Sequence, residues 1–488
     1  MGRNNRAFAP FYFLRAYFSV GIVSYHILFA LGTWSTNKLA HDPDWAAFVR
    51  GRAVPFLCLT GLYAVPVFFM MSGFLTTLPL LEQGAPISAV RLVLSRFVRL
   101  AALVLPAILH SLVRYRAYWG FWRFVGWVTL TGNYGTRPVE WMIDPSLVPC
   151  WSLAVDFQSS MVLIVVLAAL RHRTIALKAR AFVVLLVGFT AARALMVLRH
   201  PPECSCSIFH FPDWHPINIF MMAPKVTHHF ATTVLHYPFH QDYSTQPAPL
   251  GCPLAAPDGQ HVLVSTYLPT HARITPFFVG AIMACNYHAH RFRSEFMPSK
   301  EKKTKRVLPW FALSIIFVHC VLLAPIDVDN LPPKPVVVAF EIFGMTIFSM
   351  AVATITYYAI LPASHPQHAP RTATFMSSPI FRSIARTSSW LYVLHWPILF
   401  EVVRFLPKPR VVSVRIGLSL FAITVALTYP LAAFFASRVE PSLLRFAKSL
   451  RHHPSSSCRE GGGSRDHGTN DDRRDRIETR TASSTLAQ

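Results

Sequence analysis

The chain has 488 residues, 53% of them hydrophobic and only 14% charged, with 46 Lys and Arg against 23 Asp and Glu and a formal net charge of +23. A soluble domain carries about 25% charged residues, so a mean hydropathy of +0.38 over this length excludes a soluble enzyme and a disordered chain. The basic excess lies between apolar runs and in the tail rather than on one amphipathic face, which is how membrane proteins place it and which argues against a nucleic-acid partner.

A helix rises about 1.5 Å per residue, so about 20 apolar residues cross the hydrocarbon. In chain order such runs fall at 11–34, 54–81, 92–113, 149–170, 181–198, 274–287, 307–324, 335–361, 383–403 and 412–437. The expected fold is therefore an all-α integral membrane bundle of about ten transmembrane helices. The first run holds Arg15 and lacks a small-residue exit, so it reads as a retained span rather than a cleaved leader. Residues 119–131, with three tryptophans and Arg123, read as an interfacial helix. The run at 274–287 is short and has a Pro-flanked entry.

Loop charge gives the orientation. Residues 171–180 and 288–306 are rich in Lys and Arg, whereas the loop 200–272 has Lys225 as its only one. The positive-inside bias puts both termini in the cytoplasm of a plasma membrane or endoplasmic reticulum protein. This divides the chain into a short N-terminus (1–10), a membrane domain (11–437, with the outer loop 200–272) and a tail (438–488). The tail turns to Ser, Gly, Asp and Arg from Arg451 and has too little apolar surface to order.

Cys58, Cys150, Cys204, Cys206 and Cys252 lie on or near the outer side, where a bond from Cys204 or Cys206 to Cys252 and free apolar thiols are both compatible with the sequence. Cys285 and Cys320 read as core residues, and Cys458 as a tail thiol. The outer loop holds nine histidines. His236 and His240 have ligand spacing if helical, but Asp242 would leave that face, so no metal is expected.

Ionisable groups within spans are the informative ones, since each costs about 2.5–3.5 kcal/mol to insert. Arg15 and His26 share the first span, and eleven residues at about 100° each return His26 to within about 20° of Arg15, about 16 Å further along. Ser19 lies between them on that stripe. The pattern suits an anionic substrate whose reactive end reaches inward; a snorkelling arginine and a hydrogen-bonded histidine would share it. Arg96 and Arg99 are three apart on one helix face, as suits phosphate groups, and as ordinary positive flanking also provides. Asp156, one to two turns in from the outer face, and His395, near the midplane, complete the set at depths that allow convergence with His26.

With these residues the chain resembles the membrane-bound acyltransferase family 3, and within it the eukaryotic nose-resistant-to-fluoxetine-like branch. The resemblance covers about 11–437 and rests, in order, on Arg15 and His26, on Phe68–Leu75, and on Arg96 and Arg99 with Pro106 following. It continues through Trp151–Gln158, Arg273–Gly280 and Trp390–Pro397. Ser159 and Ser160 depart from the Phe-Tyr that often follows the fourth-span motif. The resemblance implies transfer of an acyl group, with acetyl the expected one, from cytoplasmic acyl-CoA to a hydroxyl of a sugar, lipid or other acceptor. It matches His26 to the family's essential histidine, Arg15 to its partner, and Arg96 and Arg99 to the donor's phosphates.

Hydroxyl acylation needs a base and a stabilised oxyanion. The expected roles give His26 the base, Asp156 the control of its tautomer, Arg15 the neutralisation of donor or oxyanion charge, and His395 the completion of the polar cavity. The alternative is a transporter or lipid-handling protein of the same fold without transfer activity.

Overall fold

Hydrocarbon offers no water to backbone N–H and C=O groups, so a spanning chain closes those bonds within helices. In the computed structural model the described residues are 8–35, 40–41, 53–82, 89–114, 120–135, 145–147, 149–199, 270–294, 309, 312–313, 316, 334–363, 371–405 and 411–451. They form α1 (Ala9–Ser35), α2 (Ala53–Glu82), α3 (Ala89–Arg114), the short α4 (Phe121–Val128), α5 (Cys150–Ala169) and α6 (Ile175–Arg199). These are followed by α7 (Thr275–Ser294), α8 (Lys334–Ala363), α9 (Pro379–Phe405), α10 (Val414–Phe434) and α11 (Glu440–Arg451).

Nine of the ten expected runs fall on the nine long helices α1–α3 and α5–α10. The tenth, 307–324, lies almost wholly outside the described residues, as do Cys204, Cys206, Cys252 and the histidines of the outer loop from His200 to His261. Among the described residues, six segments are long and apolar enough to cross a membrane: Tyr63–Glu82, Ala89–Arg114, Cys150–Ala169, Ile175–Leu198, Ile342–Leu361 and the continuous Val414–Leu443. The remaining three long helices are α1, α7 and α9, of which α7 and α9 carry basic residues towards their ends. The protein is a multi-pass helical membrane protein. Its outer surface agrees, with Val184, Val187 and Leu198 on α6 and Leu105, Leu109 and Val113 on α3 turned outward as lipid-facing side chains.

Helix α2 packs between α1 and α7, α1 packs on α9, and α10 packs on α9 while also touching α1. The α2–α7 contact explains two of the sequence motifs. A Cβ on Gly73 would lie 2.0 Å from the Phe277 carbonyl oxygen, and one on Gly280 would lie 1.9 Å from that of Met70. Each glycine therefore admits the other helix's backbone, while Met70, Phe74, Phe277 and Phe278 fill the space around it without exposure. Beyond the helices, Ala40–His41 pairs in parallel with Val411–Val412, joining the connection after α1 to the one before α10.

Two boundaries move. α7 runs on to Ser294, past Tyr287, because a helix end at the headgroups tolerates His288, Arg291 and Arg293; there Arg291 meets Glu82 of α2 at 3.0 Å. After α10 the chain continues through a π-turn, Phe435–Val439, into α11, which packs on α3. Helix thus extends into a stretch assigned from sequence to the tail; residues 452–488 lie outside those described. α4 turns Phe121 and Trp122 outward and buries Trp127 against Gly132.

Gly73→Ala or Gly280→Ala is expected to lower stability in detergent-solubilised thermal unfolding by about 1–3 kcal/mol or to abolish folding. Gly188→Ala, where nothing lies within 4 Å of the added carbon, is expected to leave the transition in place.

Candidate active site

Helices α1 and α9 bring two imidazoles together in the interior. His26 Nδ1 lies 2.6 Å from His395 Nε2, with the rings parallel and Trp396 edge-on to His26. His395 is fully buried and His26 is 8% exposed. The hydrogens can be assigned by elimination. His395 Nδ1 lies 3.0 Å from the Leu391 carbonyl, which only accepts, so that nitrogen carries the hydrogen. Two imidazolium rings at this distance would repel, and in the neutral pair His395 Nε2 accepts from His26 Nδ1–H. His26 Nε2 is then left with a lone pair.

Eleven residues earlier on α1 stands Arg15, and between them Ser19 is fully buried with no partner for its hydroxyl among the described residues. Arg15 lies within electrostatic range of Arg99, Glu440 and Asp156. Arg96 donates to both oxygens of Asp156 at 2.9 and 3.2 Å and also to the Ser72 hydroxyl. Arg99 donates to Glu440 at 2.9 Å, and the other oxygen of Glu440 accepts from Trp390 Nε1 at 3.1 Å. Three arginines and two carboxylates thus gather at one end of the bundle, about 16 Å along α1 from His26.

Two expectations change here. Asp156 does not bond His26; it pairs with Arg96, because a guanidinium attracts a carboxylate more strongly than a neutral imidazole does. The bond that controls the His26 tautomer comes from His395. The depth also differs. The first turn of α5 lies inside the bundle, where the Ser152 hydroxyl bonds the Tyr392 hydroxyl at 2.8 Å and both reach the Pro149 carbonyl. Four residues on, about 6 Å further, brings Asp156 to Arg96. Arg15 and Arg99 lie within electrostatic range of one another at the end of the bundle where Arg96 pairs with Asp156. Glu440 was missed; the signal available was a lone acid one turn beyond the last apolar run.

The rest of the fourth-span motif braces the wall. Gln158 donates to the Leu130 carbonyl at 2.8 Å and to Asn133 Oδ1 at 2.9 Å, and accepts from Thr270. Asn133 in turn donates to Thr270 at 3.2 Å, closing a ring. Leu130 is held at φ 58°, in the left-handed region a leucine rarely adopts, and the Gln158 bond helps fix that turn. Burial holds the neighbouring His271 imidazole below its ordinary range. Ser160 bonds back to the Asp156 carbonyl at 2.6 Å, while the Ser159 hydroxyl is buried without a partner among the described residues.

A family model, that of the acyltransferase domain of the acyltransferase 3 family, matches residues 12–433. The chain belongs to this family and is a membrane acyltransferase that transfers groups other than amino-acyl groups, which implies an acyl donor and a bilayer setting. Comparison with curated proteins and with solved structures gave no match.

Asp156→Ala strands a partly buried guanidinium and is expected to cost about 1–3 kcal/mol in thermal or denaturant unfolding. The double change Arg96→Met with Asp156→Leu is expected to cost less than Asp156→Ala alone, which a double-mutant cycle measures directly.

Proposed function

We propose that the protein is an O-acyltransferase of the nose-resistant-to-fluoxetine-like branch, moving an acetyl group from cytoplasmic acetyl-CoA to a hydroxyl of a sugar or lipid acceptor. The catalytic unit is residues 11–437 with Glu440 added from the following helix. The cytoplasm lies at the Arg15 end, in keeping with the basic loops on that side. The observation that carries the reading is the lone pair of His26 Nε2, oriented by His395 and joined by the Ser19 stripe to the arginine cluster.

In this reading the phosphates of the donor meet Arg15 and the outer faces of Arg96 and Arg99, whose inner faces are held by Asp156 and Glu440. Three arginines against two carboxylates leave a net positive charge for an anion, while the ion pairs stop the guanidiniums from rotating away. The thioester arm then follows the face of α1 past Ser19, whose unused hydroxyl is a hydrogen-bonding point along the way. The acceptor hydroxyl gives its proton to His26 Nε2 as its oxygen bonds the thioester carbonyl carbon. The tetrahedral oxyanion collapses, the C–S bond breaks, and His26 returns the proton to the departing thiolate. His395 accepts from His26 Nδ1 throughout, so it stabilises the transient imidazolium without being protonated itself. Asp156, Glu440 and His395 are positioning residues.

His26→Ala is expected to lower turnover of labelled acetyl-CoA by about 10²–10⁴-fold with folding intact. Glu440→Gln, which loosens Arg99, is expected to raise the donor KM more than it lowers kcat. Full transfer by a well-folded His26→Ala protein in an acceptor screen contradicts the reading.

A further inference from the structure

Away from Arg15 and Arg96, at the other end of the bundle, three separate pieces of chain bring three reactive side chains together. Helix α3 supplies His110, α9 supplies Glu401, and a one-turn 3-10 segment, Pro145–Leu147, supplies Ser146; the three elements pack on one another. Ser146 Oγ lies 2.7 Å from His110 Nδ1, and His110 Nε2 lies 3.2 Å from Glu401 Oε1. Arg114, one turn after His110, grips both oxygens of Glu401 at 2.8 Å each.

The hydrogens again follow from the partners. An ionised carboxylate accepts only, so Nε2 carries the imidazole hydrogen and Nδ1 presents its lone pair to the serine hydroxyl. Serine, base and orienting acid then stand in the order that activates a hydroxyl nucleophile, with the ring nitrogens in exchanged roles relative to serine hydrolases. Arg114 anchors the acid, so the imidazole has one stable orientation. His110 is fourteen residues from Arg96, about 21 Å along α3, and the transfer reaction at His26 uses none of these groups.

We propose that Ser146, His110 and Glu401 form a second site, at which Ser146 takes an acyl group from a small ester. The Ser146 oxygen bonds the ester carbonyl carbon while its proton passes to His110 Nδ1; the C–O bond to the leaving alcohol breaks, and His110 protonates that alcohol. Water then attacks the acyl-serine, His110 takes its proton and returns it to Ser146, and the carboxylic acid departs. Ester and water give acid and alcohol, with no other reactant. Ser146 is fully covered while His110 and Glu401 remain 23% and 28% exposed, so the approach runs over the imidazole and suits a short acyl chain.

The test uses the full chain in detergent, treated with diisopropyl fluorophosphate and read by peptide mass spectrometry, beside hydrolysis of 4-nitrophenyl acetate. An adduct on Ser146 is expected, forming about 100-fold more slowly in His110→Asn, together with ester hydrolysis lost in Ser146→Ala. A Ser146→Cys variant, expected to be alkylated faster than a Ser146→Cys, His110→Asn protein, keeps the test open if Ser146→Ala does not fold. His26→Ala is expected to retain the adduct at the unaltered rate, so the two sites stand or fall separately. No adduct on Ser146 in folded protein, or an adduct whose rate ignores His110, overturns the proposal and leaves a polar latch between α3 and α9.

Discussion

A single hydrogen shared between two imidazoles at 2.6 Å joins α1 to α9 at a depth where no bulk water competes for it. The Leu391 carbonyl fixes which nitrogen of His395 is protonated, and that choice passes across the pair to leave one basic nitrogen on His26. A backbone carbonyl inside a helix cannot turn away, so the protonation pattern is anchored to the secondary structure itself. The other polar groups of the interior are arranged around that fixed point: α5 docks on α9 through Ser152 and Tyr392, three residues before His395, and α11 docks through Glu440 and Trp390, five residues before it.

The bundle was legible because the bilayer leaves the chain few options. Apolar runs of about 20 residues have no other use, and counting along them placed His26 and His395 at matching depths. Asp156 was misplaced in depth and partner for one reason: counting from the end of an apolar run assumes that the run starts at the surface. Pro149 and Ser152 instead begin α5 among the side chains of α9, and the whole helix shifts inward by that much. Glu440 was invisible for another reason. Composition averages over a window, and one partly buried acid beside Arg438 and Arg445 reads as part of a basic tail. Ser146, His110 and Glu401 come from segments 36 and 255 residues apart, and no spacing rule joins them.

The motifs also divide by what they do. Gly73 and Gly280 serve contact between backbones and touch no reacting group, while Gln158, Asn133 and Thr270 tie three segments into one wall. Arg15 is different. Its two neighbours of like charge each have a carboxylate, and Arg15 reaches those same carboxylates only at longer range. A cation with no carboxylate bonded to it among the described residues, beside cations that have one, is the arrangement to expect where an anion comes and goes.

The π-turn at Phe435–Val439 has a consequence for facing direction. An uninterrupted α-helix advances about 100° per residue, so one added residue in a turn rotates everything after it by about that angle. Without the wider turn, the carboxylate of Glu440 would swing away from α3 and towards lipid, breaking its bonds to Arg99 and the Trp390 indole. A single inserted backbone unit, with no side-chain chemistry of its own, therefore steers the acid inward, and the residue count of that turn is under tighter constraint than the identity of the side chains it carries.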